Sequence, residues 1–408
     1  MRDRTLRQVF AVREYRAVWL ADLLSVAGDQ LARVALAVLV YGRTGSAAWA
    51  AATYALTFLP AIVGGVLLGG LADRFPRREV LAVTDAARAV LVGVMAVPGL
   101  PLPALCGLLV VVVLLGAPHT AARGALLPEL LPGDLYERGL AVSQITGQTA
   151  QVVGFAAGGL LVAAVSPSSA LALNAVTFLA AGLLFRFGLA RRPRADTTTR
   201  TGARDLLAGV VDIAGDPRRR ALVVLVWMVG LYVVPEALAA PYADQIDAGP
   251  AVVGLLMAAD PLGSVLGAWL FVRFVPSPRR ARLIGVLAVA AGVPLLFTAL
   301  VPGVPVALLL FGVSGMASTA YVMQAQASFV RATPAAIRGR AIGVAASGIV
   351  AGQGVAVLAG GLLADLWTPS TAIAVCGAAG VVIALGGALA WRSAQVGGHA
   401  ERPQTVGA

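Results

Sequence analysis

The chain has no lysine among its 408 residues. That absence removes the phosphate-gripping lysine of a P-loop and any Schiff-base lysine, so neither ATP-driven work nor lysine-based catalysis by this chain alone is expected. Cysteine is nearly absent too. Cys106 and Cys376 lie far apart inside apolar runs, where a thiol ordinarily serves as a small buried hydrophobe, and this argues against a disulfide framework or a metal cage. Charge is the third scarcity: 12% of residues are charged against 59% hydrophobic, with a mean hydropathy of +0.86, too little polar surface to coat soluble domains. No stretch is left for a soluble catalytic domain, so the reading is a non-enzyme with no cofactor and no metal site.

What the sequence has instead is long apolar runs from end to end, each able to cross a hydrocarbon core that takes about 20 helical residues. Bounded by charge clusters and Pro/Gly turns, they place spans 1 to 6 near 15–41, 49–72, 79–98, 103–126, 139–165 and 170–189. Spans 7 to 12 follow near 221–243, 251–274, 283–302, 305–330, 341–366 and 371–391. The basic N-terminus precedes an apolar segment that is long, carries Asp29 and Arg33 and lacks a small-x-small cleavage site, so it reads as a retained first helix rather than a signal peptide. The net charge of +11 would point to nucleic acid in a soluble protein, but the arginines sit between the runs. With twelve spans, 27 of the 31 arginines fall on one side, which the positive-inside rule makes cytoplasmic, together with both termini. The expected location is a multi-pass protein of a bacterial cytoplasmic membrane, with lipid and not nucleic acid as its surroundings.

The long hydrophilic break, 191–220, opens with Arg191, Arg192, Pro193 and Arg194, passes Thr197 to Thr199 and ends at Arg218 to Arg220. Its Leu206, Leu207, Val210, Val211 and Ile213 fit a short amphipathic helix lying at the headgroups. The break divides a six-helix bundle, 1–190, from a second one, 221–392, with a cytoplasmic tail at 393–408. A shift of 202 residues supports the division. It brings Gly158, Gly159, Leu160 and Leu161 onto Gly360, Gly361, Leu362 and Leu363, Pro167 onto Pro369, Pro132 onto Pro334 and Arg138 onto Arg340. Six spans return the chain to its starting side, so the copies share an orientation, and substrate is expected between the halves. Gly-x-x-x-Gly pairs recur at Gly65/Gly69, Gly154/Gly158, Gly263/Gly267 and Gly348/Gly352, in spans 2, 5, 8 and 11. Small residues four apart let helices approach closely in lipid, and their equivalent places point to one moving interface.

Between spans 2 and 3 stands Gly69-Gly70-Leu71-Ala72-Asp73-Arg74-Phe75-Pro76-Arg77-Arg78-Glu79-Val80-Leu81. This resembles the signature loop of the major facilitator superfamily, GxLaDRxGRRxxL, with Pro76 where glycine is usual. The resemblance implies an all-α fold of twelve membrane helices in two six-helix repeats. It also implies a cytoplasmic latch, with Gly69 and Arg74 in its loop, in which Asp73 meets the positive N-terminal end of span 11 and Arg77 and Arg78 grip carboxylates or headgroups. Phe10, Arg13, Tyr15, Arg16 and Trp19, then Ser25, Gly28 and Asp29, then Thr44-Gly45-Ser46, are similar to the branch holding macrolide-efflux pumps and the enterobactin exporter. Arg123 followed by Ala125, Leu126, Leu127 and Pro128 is similar to the same branch. Gly154 to Gly159 resembles the antiporter pattern GPxxGG except that Phe155 replaces the proline.

Ionisable side chains inside spans are costly, so each is a candidate for a cavity or a partner. Asp22, Ser25, Asp29 and Arg33 follow steps of 3, 4 and 4 and share one helix face. Asp29, midway between Tyr15 and Tyr41, is the expected proton-coupling carboxylate, with a static pair to Arg33 one turn away as the rival reading. Asp85 and Arg88 read as a structural pair near the cytoplasmic end of span 3, Arg123 as a gating charge and His119 as a hydrogen-bonded interior histidine or a proton relay. In the second half, Asp260 beside Pro261 offers a second acidic site. Glu236, between Pro235 and Pro241, either lines an exit or caps a solvated helix end. The expected function is export of small amphipathic or hydrophobic molecules by a monomeric secondary transporter, driven by protons. Export or uptake of a specific metabolite or siderophore, lipid movement and a non-transporting sensor are the alternatives.

Overall fold

The structure, a computed structural model, describes residues 8–192 and 203–400. Arg194, Thr197 to Thr199 and the end of the C-terminal tail lie outside the described residues. The described chain is helical. Among the described residues, eleven helices are long and apolar enough to cross a membrane: Arg13–Thr44, Ala47–Arg74, Leu102–Leu130, Asp134–Ala164, Pro167–Gly188, Pro217–Ala237, Pro250–Phe274, Arg279–Leu300, Val304–Ala332, Arg338–Leu366 and Pro369–Ser393. These correspond in order to spans 1, 2 and 4 to 12. Span 3 is the helix Arg77–Met95, which carries Asp85 and Arg88 and is therefore less apolar than the rest. It packs against spans 4 and 6, with both of those charges buried.

The helix ends follow from local chemistry. Gly45 adopts φ +62°, a left-handed conformation that glycine takes without strain, and its N–H closes span 1 on the Tyr41 carbonyl. Ser46 then caps span 2 by accepting from the Trp49 N–H, so the Thr44-Gly45-Ser46 triplet is a stop followed by a start. Ser166 and Pro167 start span 6 in the same way. Two spans are broken. Span 2 divides into Ala47–Ala55, Leu59–Leu68 and Leu71–Arg74, with Pro60 just after the first break and Gly69 and Gly70 at the second. Span 7 passes from Pro217–Trp227 through a 3-10 turn, Met228–Tyr232, to Val234–Ala237, where Pro235 withholds a backbone donor.

The chain forms two compact units. One holds the described part of Met1–Arg200 with Ala237–Pro261, the other the described part of Thr201–Glu236 with Leu262–Ala408. The division at the middle loop leaves one departure: residues 237–261 join the first unit instead of the second bundle. Tyr41 Oη donates to Asp244 Oδ2 at 2.9 Å, and a Cβ added to Gly159 would stand 2.8 Å from the Gly254 Cα. Backbones that close admit only glycine on both sides.

In the first unit, spans 1, 3, 4 and 6 build two apolar clusters. One contains Tyr15, Val18, Leu81, Leu126 and Phe185, the other Leu31, Leu36, Val92, Leu105 and Phe178. Between them along the chain lie Asp22 and Asp29 on span 1, Asp85 and Arg88 on span 3 and His119 on span 4.

The glycine pairs correct the expectation of one moving interface. Gly154 and Gly158 pack on span 1 at Ala27 and Leu31 inside the first unit. In the second unit Gly263 and Gly267 pack on span 10 at Gly312 and Met316, and Gly348 and Gly352 on Trp227 of span 7. A Cβ on Gly65 meets nothing within 4 Å, and one on Gly69 meets only its own helix at Gly65. Three of the pairs therefore set distances between neighbouring helices of one unit, and the fourth lines open space. The linker carries the helix Ala203–Ala214, which packs against span 11. Asp212 pairs with Arg340 at 2.5 Å, Gly209 sits over the Arg340 backbone, and Ile213 is buried while Val211 is exposed. The side chains of Leu206 and Leu207 lie outside the described residues.

Candidate functional site

The charges between the two apolar clusters form two linked groups. In the first, Arg88 Nη2 donates to both oxygens of Asp29, at 3.1 and 3.3 Å, and its Nη1 lies 3.5 Å from Asp85 Oδ1. The guanidinium also stacks on Phe178, 3.9 Å from the ring centre. Asp85 is fully buried and faces His119 Nδ1 at 3.1 Å, and that nitrogen stands 3.5 Å from the Thr84 hydroxyl. In the second group Arg123 Nε donates to Asp22 Oδ2 at 2.6 Å. Alongside, the Trp19 indole donates to the Thr146 hydroxyl, and the Tyr15 hydroxyl to the Gly139 carbonyl. One arginine thus bridges carboxylates from spans 1 and 3, and a second ties span 4 to span 1.

This differs from the sequence-based pairing in two ways. The partner of Asp29 is Arg88, 59 residues away, and not Arg33 one turn on. Asp85 and Arg88 are not a separate cytoplasmic pair, because Arg88 carries the connection from Asp29 to Asp85 and so to His119. Arg33 turns instead toward span 2, with its guanidinium carbon 5.8 Å from the Tyr54 ring centre and 5.4 Å from that of Phe58. Such ring contacts are worth about 0.5–2 kcal/mol each. An arginine at mid-membrane costs about 2.5–3.5 kcal/mol on insertion scales, so two ring contacts are of the same order as the cost.

Two cavities meet at the Asp29–Arg88 pair, both inside the first unit. The larger, about 530 Å³, runs among spans 1, 2, 3, 4 and 6; it is walled by Leu36, Val92, Met95, Leu109 and Val112, with Arg33 and Asn174 as polar points. The smaller, about 280 Å³, is polar and reaches Asp22, His119, Arg123, Ser143 and Gln144. Asp29 and Arg88 line both. Sequence reasoning overlooked Asn174, only 1% exposed, whose Oδ1 accepts from Thr177 and stands beside Gly28. An amide in the apolar run of span 6 was the available signal, since the rule for buried charges also covers buried amides.

The remaining candidates are dispersed. Arg77 pairs with Glu129 and donates to the Ala125 carbonyl, and Arg78 donates to the Leu189 carbonyl, so both hold the start of span 3 to its neighbours. Asp73 is half-buried and Arg74 exposed. Asp260 is half-buried in span 8. Glu236 is 6% exposed, which rules out the solvated helix end considered for it.

Comparison with known proteins places this geometry. The profile of the Major Facilitator Superfamily matches residues 18–238, more than half of the chain. The chain belongs to the major facilitator superfamily. It is 28% identical over 371 residues, 85% of each chain, to the multidrug efflux pump Tap of Mycobacterium tuberculosis strain H37Rv. It is also 35% identical over 128 residues, 31% of this chain and 30% of the other, to the uncharacterised MFS-type transporter YfiS of Bacillus subtilis. Among solved structures, the nucleoside transporter NupG matches with a TM-score of 0.74 at 16% identity, covering 92% of this chain and 99% of the other. A bacterial homologue of the human lysosomal transporter Spinster, in an inward-facing and occupied conformation, matches with a TM-score of 0.75 at 14% identity, over 96% and 98%. The superfamily member described here is therefore a multi-pass secondary transporter of small molecules with the superfamily's helical fold.

Proposed function

We propose that the protein exports small amphipathic or hydrophobic molecules by alternating access, in exchange for protons. The observation that carries the reading is the position of Asp29: a carboxylate one third exposed, paired with Arg88, on the wall shared by an apolar cavity and a polar one. The apolar cavity has the size and lining of a site for an amphipathic molecule. The polar cavity gives a proton a route to Asp29. Protonation removes the charge that holds Arg88 to span 1 and leaves the arginine to Asp85, so the contact between spans 1 and 3 weakens when the proton arrives. Likeness to an efflux pump supports the outward direction. Asp260 is a second proton site in this reading.

The test is reconstitution in liposomes with an imposed pH gradient and a chemically diverse panel of compounds. Asp29→Asn is expected to retain substrate binding and lose gradient-driven accumulation; undiminished accumulation sinks the reading. In the same assay Asp73→Asn is expected to slow transport by about tenfold without lowering membrane insertion, as an N-terminal helix dipole that loses its anion would require. Equal rates would remove the latch.

A further inference from the structure

Arg33 is unaccounted for by the proton path. It lies inside span 1, lines the larger cavity and stands beside the rings of Tyr54 and Phe58, which pack edge to face on each other. Among the described residues, no carboxylate lies within ion-pair distance of it, and none of its N–H donors meets an acceptor. Every other charge on the walls of this cavity is compensated: Asp29 by Arg88, and Arg88 by Asp29 and Asp85. Arg33 is therefore the one charge on these walls without a counter-charge beside it among the described residues, a planar guanidinium close to two aromatic rings with its fork of donors open.

We infer that Arg33 is the recognition point for an acidic group and that the favoured substrates are amphipathic anions, a carboxylate or similar acid on an apolar body. This rests on the efflux reading for the identity of the cavity and deepens it by naming the substrate class. The acid group meets the arginine fork, which matches a carboxylate with two parallel hydrogen bonds. The apolar body lies along Leu36, Val92, Met95 and Val112. A cationic amphipath placed there meets the Arg33 guanidinium as repulsion. Direction agrees with charge as well, because a membrane potential negative inside drives an anion outward.

The experiment uses the full chain in nanodiscs and three fluorescent probes that share one pyrene body, a butyrate, a butanol and a butyl-trimethylammonium, with binding read by anisotropy and no gradient imposed. The carboxylate is expected to bind about tenfold more tightly than the ammonium, as for one charge-assisted contact. Arg33→Lys is expected to keep the order with weaker carboxylate binding, and Arg33→Gln to bring the two within about threefold. Thermal melting shows whether Arg33→Gln is folded; if it is not, the wild-type order and Arg33→Lys decide. Ammonium binding as tight as carboxylate binding in the wild type, or a full preference surviving in folded Arg33→Gln, overturns the inference. Gradient-driven export of cations in liposomes together with ammonium preference would overturn it and leave the efflux reading standing. Anion preference without gradient-driven export would support it while the efflux reading falls.

Discussion

In the first unit the buried polar chemistry is ionic, with Asp22, Asp29, Asp85, Arg88, His119 and Arg123 joined across spans 1, 3 and 4. In spans 7 to 12 of the second it is largely made of hydroxyls that bond helix carbonyls: Tyr232 to Ala288 at 2.8 Å, Ser314 to Ala291 at 2.8 Å, Thr298 to Ser370 at 3.0 Å and Ser264 to Gly315 at 3.2 Å. A hydroxyl that returns its hydrogen to a carbonyl is satisfied in every protonation state of its surroundings, so it fixes helix spacing without responding to pH. An ion pair in the same setting depends on both partners and fails when one is neutralised. Two copies of one helical plan thus differ in their buried polar chemistry, one ionic and one largely hydroxylic, and on the reading proposed above the first is the responsive one and the second the fixed one.

The difference is sharpest at Arg88. Arg88→Met leaves Asp85 buried without its arginine and removes the partner of Asp29, which is expected to cost about 3–5 kcal/mol and to abolish transport. Adding Asp85→Asn is expected to return part of the stability, read by melting in detergent, without returning transport. Full stability in Arg88→Met alone would mean the ionic layer is not structural. Next in size, Gly263→Ala puts a methyl against the Gly312 carbonyl with no room and is expected to cost about 1–3 kcal/mol as overpacking. Gly65→Ala, facing open space, is expected to stay within about 0.5 kcal/mol. Equal losses would restore the idea that all the glycine pairs share one role. Smallest is Tyr232→Phe, which removes the bond to Ala288 and is expected to lower stability by about 1 kcal/mol with transport intact. A pH-dependent transport defect in that variant would break the division between responsive and fixed units.

Much of this was legible in the sequence, because the features that carry it are one-dimensional. Apolar runs and arginine placement mark spans, the 202-residue register marks the repeat, and the loop from Gly69 to Leu81 marks the superfamily. Span 3 is the instructive case. Charged for a membrane helix, it is marked in the sequence by its position between turns, and its charges are what the neighbouring helices enclose. Pairing was less legible. Asp29 has an arginine at i+4, but Arg33 turns to the rings of Tyr54 and Phe58 while Arg88 arrives from another helix, and only packing decides between them. Glycine spacing had the same limit, since Gly65/Gly69 and Gly263/Gly267 are identical in pattern and differ in what stands opposite. The linker helix showed its apolar face in the sequence, but not that Asp212 meets Arg340 on span 11.

The layering of the first unit has a consequence for how this transporter changes over generations. The apolar wall of the larger cavity comes largely from the cluster holding Leu36, Val92, Met95 and Leu109, and the Asp29–Arg88 pair stands at one end of it. Exchanges among Leu, Met, Ile and Val at positions such as Leu36, Val92, Met95 and Leu109 cost less than about 1.5 kcal/mol when volume is conserved. Such exchanges reshape the chamber without touching Asp29, Arg88 or Asp85. On the export reading proposed above, the room can be repainted while its wiring stays in place, so the range of cargo is free to drift under selection faster than the means of driving it.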